Sequence, residues 1–176
     1  MTIDRIDMEE ITGRIDELRG EREELRDAEG EAREAFYFHG GNLAADNPDI
    51  TDPHEIPDDG SVQELAEWRE AWTALSEWGT TPGDAEAEEL AELEELIEEL
   101  RGAGGGDHQW EGDWYPRELI ADYSFEEYAQ ELADDIGAIN SDAGWPNNCI
   151  DWERAARELA MDYSMVEFRG TDYYWR

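Results

Sequence analysis

The chain has 176 residues, with 49 Asp and Glu against 13 basic residues, every one of them Arg, for a formal net charge of −36. That length suits one or two small domains, and eight Trp and seven Tyr exclude a wholly disordered acidic tail. A surface this negative repels phosphate backbones, which argues against nucleic acid and anionic membranes as direct partners and favours proteins with basic grooves.

The first residues, Met1 to Asp7, lack the basic and apolar regions of a signal peptide, and no run approaches the ~18 apolar residues of a membrane span, so the cytoplasm is the expected location. From Met8 onward, Met8, Ile11, Ile15, Leu18 and Leu25 fall at heptad spacing, which predicts a helix over about residues 4–35. Its apolar seam is narrow, so it must pair with another helix of this chain or of a second copy. A homodimer is the expectation. Residues 36–60 lose the periodicity and carry Gly40-Gly41, Pro48, Pro53 and Pro57, which predicts a loop.

A second helix opens with the capping box Ser61-Val62-Gln63-Glu64 and places Leu65, Trp68, Trp72 and Leu75 on one face, before Gly79 and Pro82 end it. A third begins after Asp84, with Leu90, Leu93, Ile97 and Leu100 on one stripe. The two stripes are expected to meet. Gly102-Ala103-Gly104-Gly105-Gly106 is the sharpest break in composition, and it divides an acidic helical region, residues 1–101, from a C-terminal domain, residues 107–176.

In the C-terminal domain, Trp114 to Ile120 suits an edge strand because of Pro116. Ser124-Phe125-Glu126-Glu127 is a second capping box. Its helix should bury Phe125, Tyr128, Ala129, Leu132 and Ile136 and turn Glu127, Glu131, Asp134 and Asp135 to solvent. A helix from about Asp151 follows, with Trp152, Ala155, Ala156 and Leu159 inward. The chain ends in a predicted β-hairpin turning at Arg169-Gly170. Trp110, Trp114, Trp145 and Trp175 are expected in its core. The fold class is therefore α+β, mostly helical, with acidic heptad-patterned helices before a small α+β domain.

The chemistry of catalysis finds little support. His39, His54 and His108 fall in predicted loops, no nucleophile or phosphate-binding motif occurs, and Cys149 reads as a small buried hydrophobe. Asp46 to Asp52 offers oxygen donors without the Gly and Glu of an EF-hand loop. No enzymatic activity, metal or cofactor is expected. The charge is the stronger signal: duplex DNA carries about one charge per 1.7 Å of axis, so 36 net charges match roughly 60 Å, or ~18 base pairs. On the third helix Glu88, Glu92, Glu95 and Glu99 recur at 4-3-4 spacing, about 5 to 6 Å apart along the axis, and Glu89 broadens that face. These residues, with Glu127, Glu131, Asp134 and Asp135, are the candidate phosphate mimics. Salt adaptation would produce the same composition without mimicry.

Residues 123–136, Tyr-Ser-Phe-Glu-Glu-Tyr-Ala-Gln-Glu-Leu-Ala-Asp-Asp-Ile, and residues 150–163, Ile-Asp-Trp-Glu-Arg-Ala-Ala-Arg-Glu-Leu-Ala-Met-Asp-Tyr, together with the aromatic hairpin after Tyr163, resemble the ArdA antirestriction family of mobile genetic elements. The resemblance implies a non-enzymatic inhibitor, often an elongated dimer, whose carboxylates imitate DNA phosphates in the groove of type I restriction–modification enzymes. The helical first 106 residues do not follow that family, which leaves a CRISPR complex, a nucleoid protein or another defence nuclease open as targets. An acidic coiled-coil adaptor is the competing class. A metal-dependent hydrolase is a third, and it would bring three carboxylates and a His into one pocket.

Overall fold

The structure is a computed structural model, and it describes residues 4–57, 62–78, 85–102, 107–140, 144–145 and 147–176. In chain order the elements are β1 (Arg5–Asp7), α1 (Met8–His39), α2 (Gly41–Asp46), α3 (Gln63–Glu77), α4 (Ala85–Leu100), β2 (His108–Trp110), β3 (Asp113–Tyr115), β4 (Glu118–Ala121), α5 (Phe125–Asp135), α6 (Trp152–Ala160), β5 (Ser164–Phe168) and β6 (Thr171–Trp175). Short 3₁₀ turns lie at Pro53–Glu55, Asp122–Ser124 and Asn147–Cys149. The fold is α+β and mostly helical, as expected.

Contacts divide the chain into two units, Arg14–Glu92 and Met1–Gly13 with Leu93–Arg176. The break in composition lies elsewhere, partly in residues 103–106, which are outside the described residues. The physical reason is β1. It pairs antiparallel with β4, Arg5 opposite Ile120 and Asp7 opposite Glu118, and so carries the first residues into the C-terminal unit. Three-residue strands leave almost no periodic signal, and the expected helix start at residue 4 is in fact this strand.

The C-terminal unit holds an antiparallel sheet in the order β1-β4-β6-β5, and a separate two-stranded ladder of β2 and β3. β4 is an inner strand, not an edge, because Pro116 precedes it and removes no donor from its ladder. Ile120, Phe125, Ala129 and Ala156 form the core, with Tyr128, Leu159, Tyr163 and Tyr174 packed around it. Phe125 and Tyr174 lie 4.3 Å apart between ring centroids. Aromatic stacking by Tyr and Phe thus takes the place expected of Trp: Trp114 and Trp145 are exposed, and Trp110 and Trp175 are only half-buried.

Ser124 does not cap α5 with its side chain. Its Oγ accepts instead from the backbone N–H of Asp4 at 3.1 Å, so the residue chosen for a local cap locks the N-terminal strand to the domain. α5 ends at Asp135, and Ile136 leaves the helix and is exposed rather than buried. In α6 the expected cap does form, with Asp151 accepting from the Arg154 N–H at 3.1 Å. The final hairpin is as predicted. Arg169 and Gly170 take φ of 50° and 76°, the left-handed pair that a two-residue turn requires. Cys149 is exposed, contrary to expectation.

In the Arg14–Glu92 unit, the stretch expected as a loop is largely structured. α1 runs on to His39, α2 follows at once, and Phe36, Ala44 and Ile56 join Leu65 and Trp68 in one core. Gly40 makes the tight passage possible, because a Cβ there would lie 2.5 Å from the Phe36 carbonyl oxygen. Arg69 donates to the carbonyls of Pro53 and Ile56 and so fixes the 3₁₀ turn to α3. The apolar face of α3 therefore meets the end of α1 and this turn, and no α4 residue belongs to that cluster. Ser61, Gly79, Pro82 and Asp84, expected at helix ends, lie outside the described residues.

The heptad seam is satisfied within one chain. Met8, Ile11, Ile15 and Leu18 are buried, as are Leu90, Leu93, Leu96, Ile97 and Leu100 of α4, while Leu25 is half-buried. Arg14 of α1 donates to Glu89 of α4 at 2.9 and 3.1 Å, which places the two helices side by side there. A second copy finds little of this seam left to cover.

Two hydrogen bonds, one buried and one partly buried, lead to measurable effects. Trp68, fully buried, donates through Nε1 to Oε1 of buried Glu29 at 2.7 Å. Trp68→Phe leaves the carboxylate without that donor and removes part of the indole from a filled site, and should cost at least about 1–3 kcal/mol in urea denaturation. Adding Glu29→Leu should recover part of the loss. In the C-terminal core, burial and the hydrogen bond with Tyr163, 2.8 Å away, push the Tyr128 hydroxyl above its ordinary pKa of 10.0. The unfolded chain then ionises first, so stability is full below pH 10.0 and falls as pH rises further. Tyr128→Phe should flatten that alkaline decline in melting temperature.

Candidate functional site

α4 owes its shape to a simple alternation. Leu90, Leu93, Leu96, Ile97 and Leu100 hold one side in the interior, and nearly every other position is Glu or Ala, both good helix formers. With about 100° per residue, Glu88, Glu92, Glu95 and Glu99 fall within an arc of about 60°, roughly 140° from the mean direction of the buried stripe. All four are exposed. Glu86, Glu94 and Glu98 are exposed as well, so this helix carries roughly one outward carboxylate per 3 Å of its length. One strand of duplex DNA carries a phosphate per about 3.4 Å of axis.

Glu89 differs from this row. It is half-buried and accepts from Arg14, whose guanidinium also bonds Glu17 at 2.7 Å. Those two carboxylates, Glu17 first and then Glu89, push the Arg14 pKa upward. Glu89 is thus a helix-pairing residue. At the far end of α4 Arg101 bonds Glu98 at 3.0 Å and Asp113 at 3.3 Å, which draws Glu98 toward β3.

The α5 row is weaker as an outward charge array. Glu127 is half-buried, and Glu131 accepts from Arg5, which also bonds Glu118 at 3.4 Å. Asp134 and Asp135 are exposed. The Arg5 guanidinium lies 5.5 Å from the Tyr128 ring centroid, so one cation is held by two carboxylates and an aromatic face. Sequence spacing could not reveal that neutralisation, because Arg5 is 126 residues from Glu131.

The histidines occupy ordered elements rather than loops: His39 ends α1, His54 lies in a 3₁₀ turn and His108 begins β2. His108 shares a pocket of about 270 Å³ with Asp7, Glu9, Asp107 and Arg117, the arrangement a metal-dependent hydrolase would need. Asp7 Oδ1 accepts from the Glu9 N–H at 2.8 Å. Thr12 Oγ1 lies within hydrogen-bond distance of the Met8 and Glu9 carbonyls and 3.1 Å from His108 Nε2, so the histidine is held against α1. Among the described residues no three His, Cys, Asp or Glu side chains form a group that could hold a metal ion. No helix among them is long and apolar enough to cross a membrane.

Comparison with protein-family models, with curated proteins and with solved structures gives no match.

The two kinds of α4 carboxylate should separate experimentally. Glu89→Gln weakens the bonds to Arg14 and should lower the urea midpoint, whereas Glu95→Gln relieves repulsion from Glu92 and Glu99 and should raise it. Both differences should shrink at 1 M salt, where the Debye length is about 3 Å.

Proposed function

We propose that the chain is a DNA mimic, a non-catalytic inhibitor that occupies the DNA groove of a type I restriction–modification enzyme. The observation that carries this reading is the outward row Glu88, Glu92, Glu95 and Glu99, set opposite the buried face of α4 on a helix whose exposed carboxylates together come to roughly one per 3 Å, against about 3.4 Å of axis per phosphate on one DNA strand. The target class follows from the ArdA-like pattern of residues 123–163, and a CRISPR complex or a nucleoid protein would present the same basic groove. Direct nucleic-acid binding is disfavoured by the charge of −36.

The adaptor reading requires an exposed apolar seam on α1. Met8, Ile11, Ile15 and Leu18 are at most 6% exposed, which favours mimicry over that alternative. A dimer, where one forms, must use another surface.

The test is competition. Purified protein should displace duplex DNA from a type I enzyme, and its affinity should fall steeply with salt, because carboxylates meeting Lys and Arg release anions from the enzyme's groove. The quadruple Glu→Gln variant at 88, 92, 95 and 99 should lose about tenfold or more in affinity while melting no lower than the parent. Retained affinity in that variant removes α4 from the interface, and absence of competition with any DNA-binding defence enzyme overturns the proposal.

A further inference from the structure

Within the C-terminal unit, the 3₁₀ turn Asp122–Ser124, α5, α6 and β6 enclose an open groove of about 360 Å³. Phe125, Ala156 and Tyr174 make its floor and are the same side chains that build the domain core. Asp122, Glu126 and Glu153 stand along its rim, all exposed, and Tyr123 is 66% exposed beside them. The Tyr123 hydroxyl donates to Asp4, which pushes its pKa up to about 12 and holds the side chain to β1's approach. One cation, Arg157, also lines the groove, and its Nη1 lies 3.6 Å from Glu153. The rim therefore keeps an excess of negative charge over an apolar, aromatic floor.

Elsewhere in this unit the molecule shows what such a combination holds. Arg5 lies over the Tyr128 ring between Glu118 and Glu131, an arginine seated by one aromatic face and two carboxylates. Arg176 likewise lies 5.5 Å from the Tyr163 ring centroid. The groove repeats that composition and is open to solvent, with Arg157 beside Glu153 at one side and Glu126 and Asp122 at the other. A guanidinium suits it better than an ammonium ion, since the planar, weakly hydrated group stacks on tyrosine and bonds two carboxylates at once.

We propose that this groove seats an arginine side chain of a basic partner protein, its methylene stem over Phe125 and Ala156 and its guanidinium between Glu126 and Glu153. The inference rests on the reading above only in taking the partner to be a basic protein. It adds a shaped contact to what would otherwise be an array of charges, and so a source of specificity separate from the α4 row.

The probe is N-acetyl-arginine methylamide, titrated into the full chain and followed by ¹⁵N–¹H NMR, with the citrulline analogue as the neutral isostere. The arginine probe should shift Tyr123, Ala156, Ala160 and Tyr174 saturably, and citrulline should not. Glu126→Gln with Glu153→Gln should weaken the response about fivefold, and Tyr123→Ser, which leaves the floor and both carboxylates in place, should weaken it as well. Arg157→Gln should strengthen it. An equal response to citrulline, shifts spread over α4 instead of the groove, or a response that survives both the double variant and Tyr123→Ser overturns the proposal. So does loss of the response in Arg157→Gln, which would mark an anion site. The α4 Gln variant should bind the probe unchanged, so that failure of the groove and failure of DNA mimicry are read in separate experiments.

Discussion

Like-charge repulsion is the constraint on which the other features of this chain depend. With 49 carboxylates and 13 guanidiniums, folding must hold negative groups near one another, and there are too few cations to pair each one. The positions of the arginines show how that scarcity is met. Arg5 joins β1 to β4 and α5, Arg14 joins α1 to α4, Arg69 joins α3 to the Pro53 turn, and Arg101 joins the end of α4 to β3. Each bridges two elements of structure. Carboxylates at these contacts are neutralised, and others, along α4 above all, stand exposed on the surface.

The same constraint explains why apolar stripes are so narrow and so fully buried. Five aliphatic residues on α4 and four on α1 supply the cohesive surface of those faces, and all nine are buried, which lets the helices pack despite their own charge. Where aliphatics are few, aromatic rings take over. Phe125 is ringed by Tyr128, Tyr163 and Tyr174 at 4.3 to 5.5 Å between centroids, and Phe36 packs on Trp68 at 5.2 Å. A tyrosine core brings hydroxyls inside, and the Tyr128–Tyr163 bond satisfies one pair of them.

What the sequence revealed and what it concealed divide along the range of the interactions. The seam at Met8, Ile11, Ile15 and Leu18, the stripe of α4 and the Arg169-Gly170 turn are local patterns, and each is found as predicted. The pairing of β1 with β4, the diversion of Ser124 to Asp4 and the capture of Glu131 by Arg5 join residues more than 100 positions apart. Nothing in the spacing of either partner announces them. The stretch after Phe36 was hidden for another reason: its prolines and glycines mark real turns, but the turns fold back so that Ala44 and Ile56 reach Trp68. Of the candidate site, the outward α4 row was legible because helical periodicity alone sets it, while Glu89 and Glu131 belong to internal ion pairs that periodicity cannot show.

Salt adaptation and mimicry both call for acidic surfaces, but they make different demands on geometry. Adaptation needs only a high density of hydrated carboxylates, in any arrangement. Mimicry needs regular spacing along a line. On α4 the residues Glu88, Glu92, Glu95 and Glu99 meet that demand through the helix repeat. Arg14 and Arg101 engage Glu89 and Glu98 at the edges of that row. Regular spacing on one face of a helix, more than the total charge, is what distinguishes the proposed mimicry from adaptation.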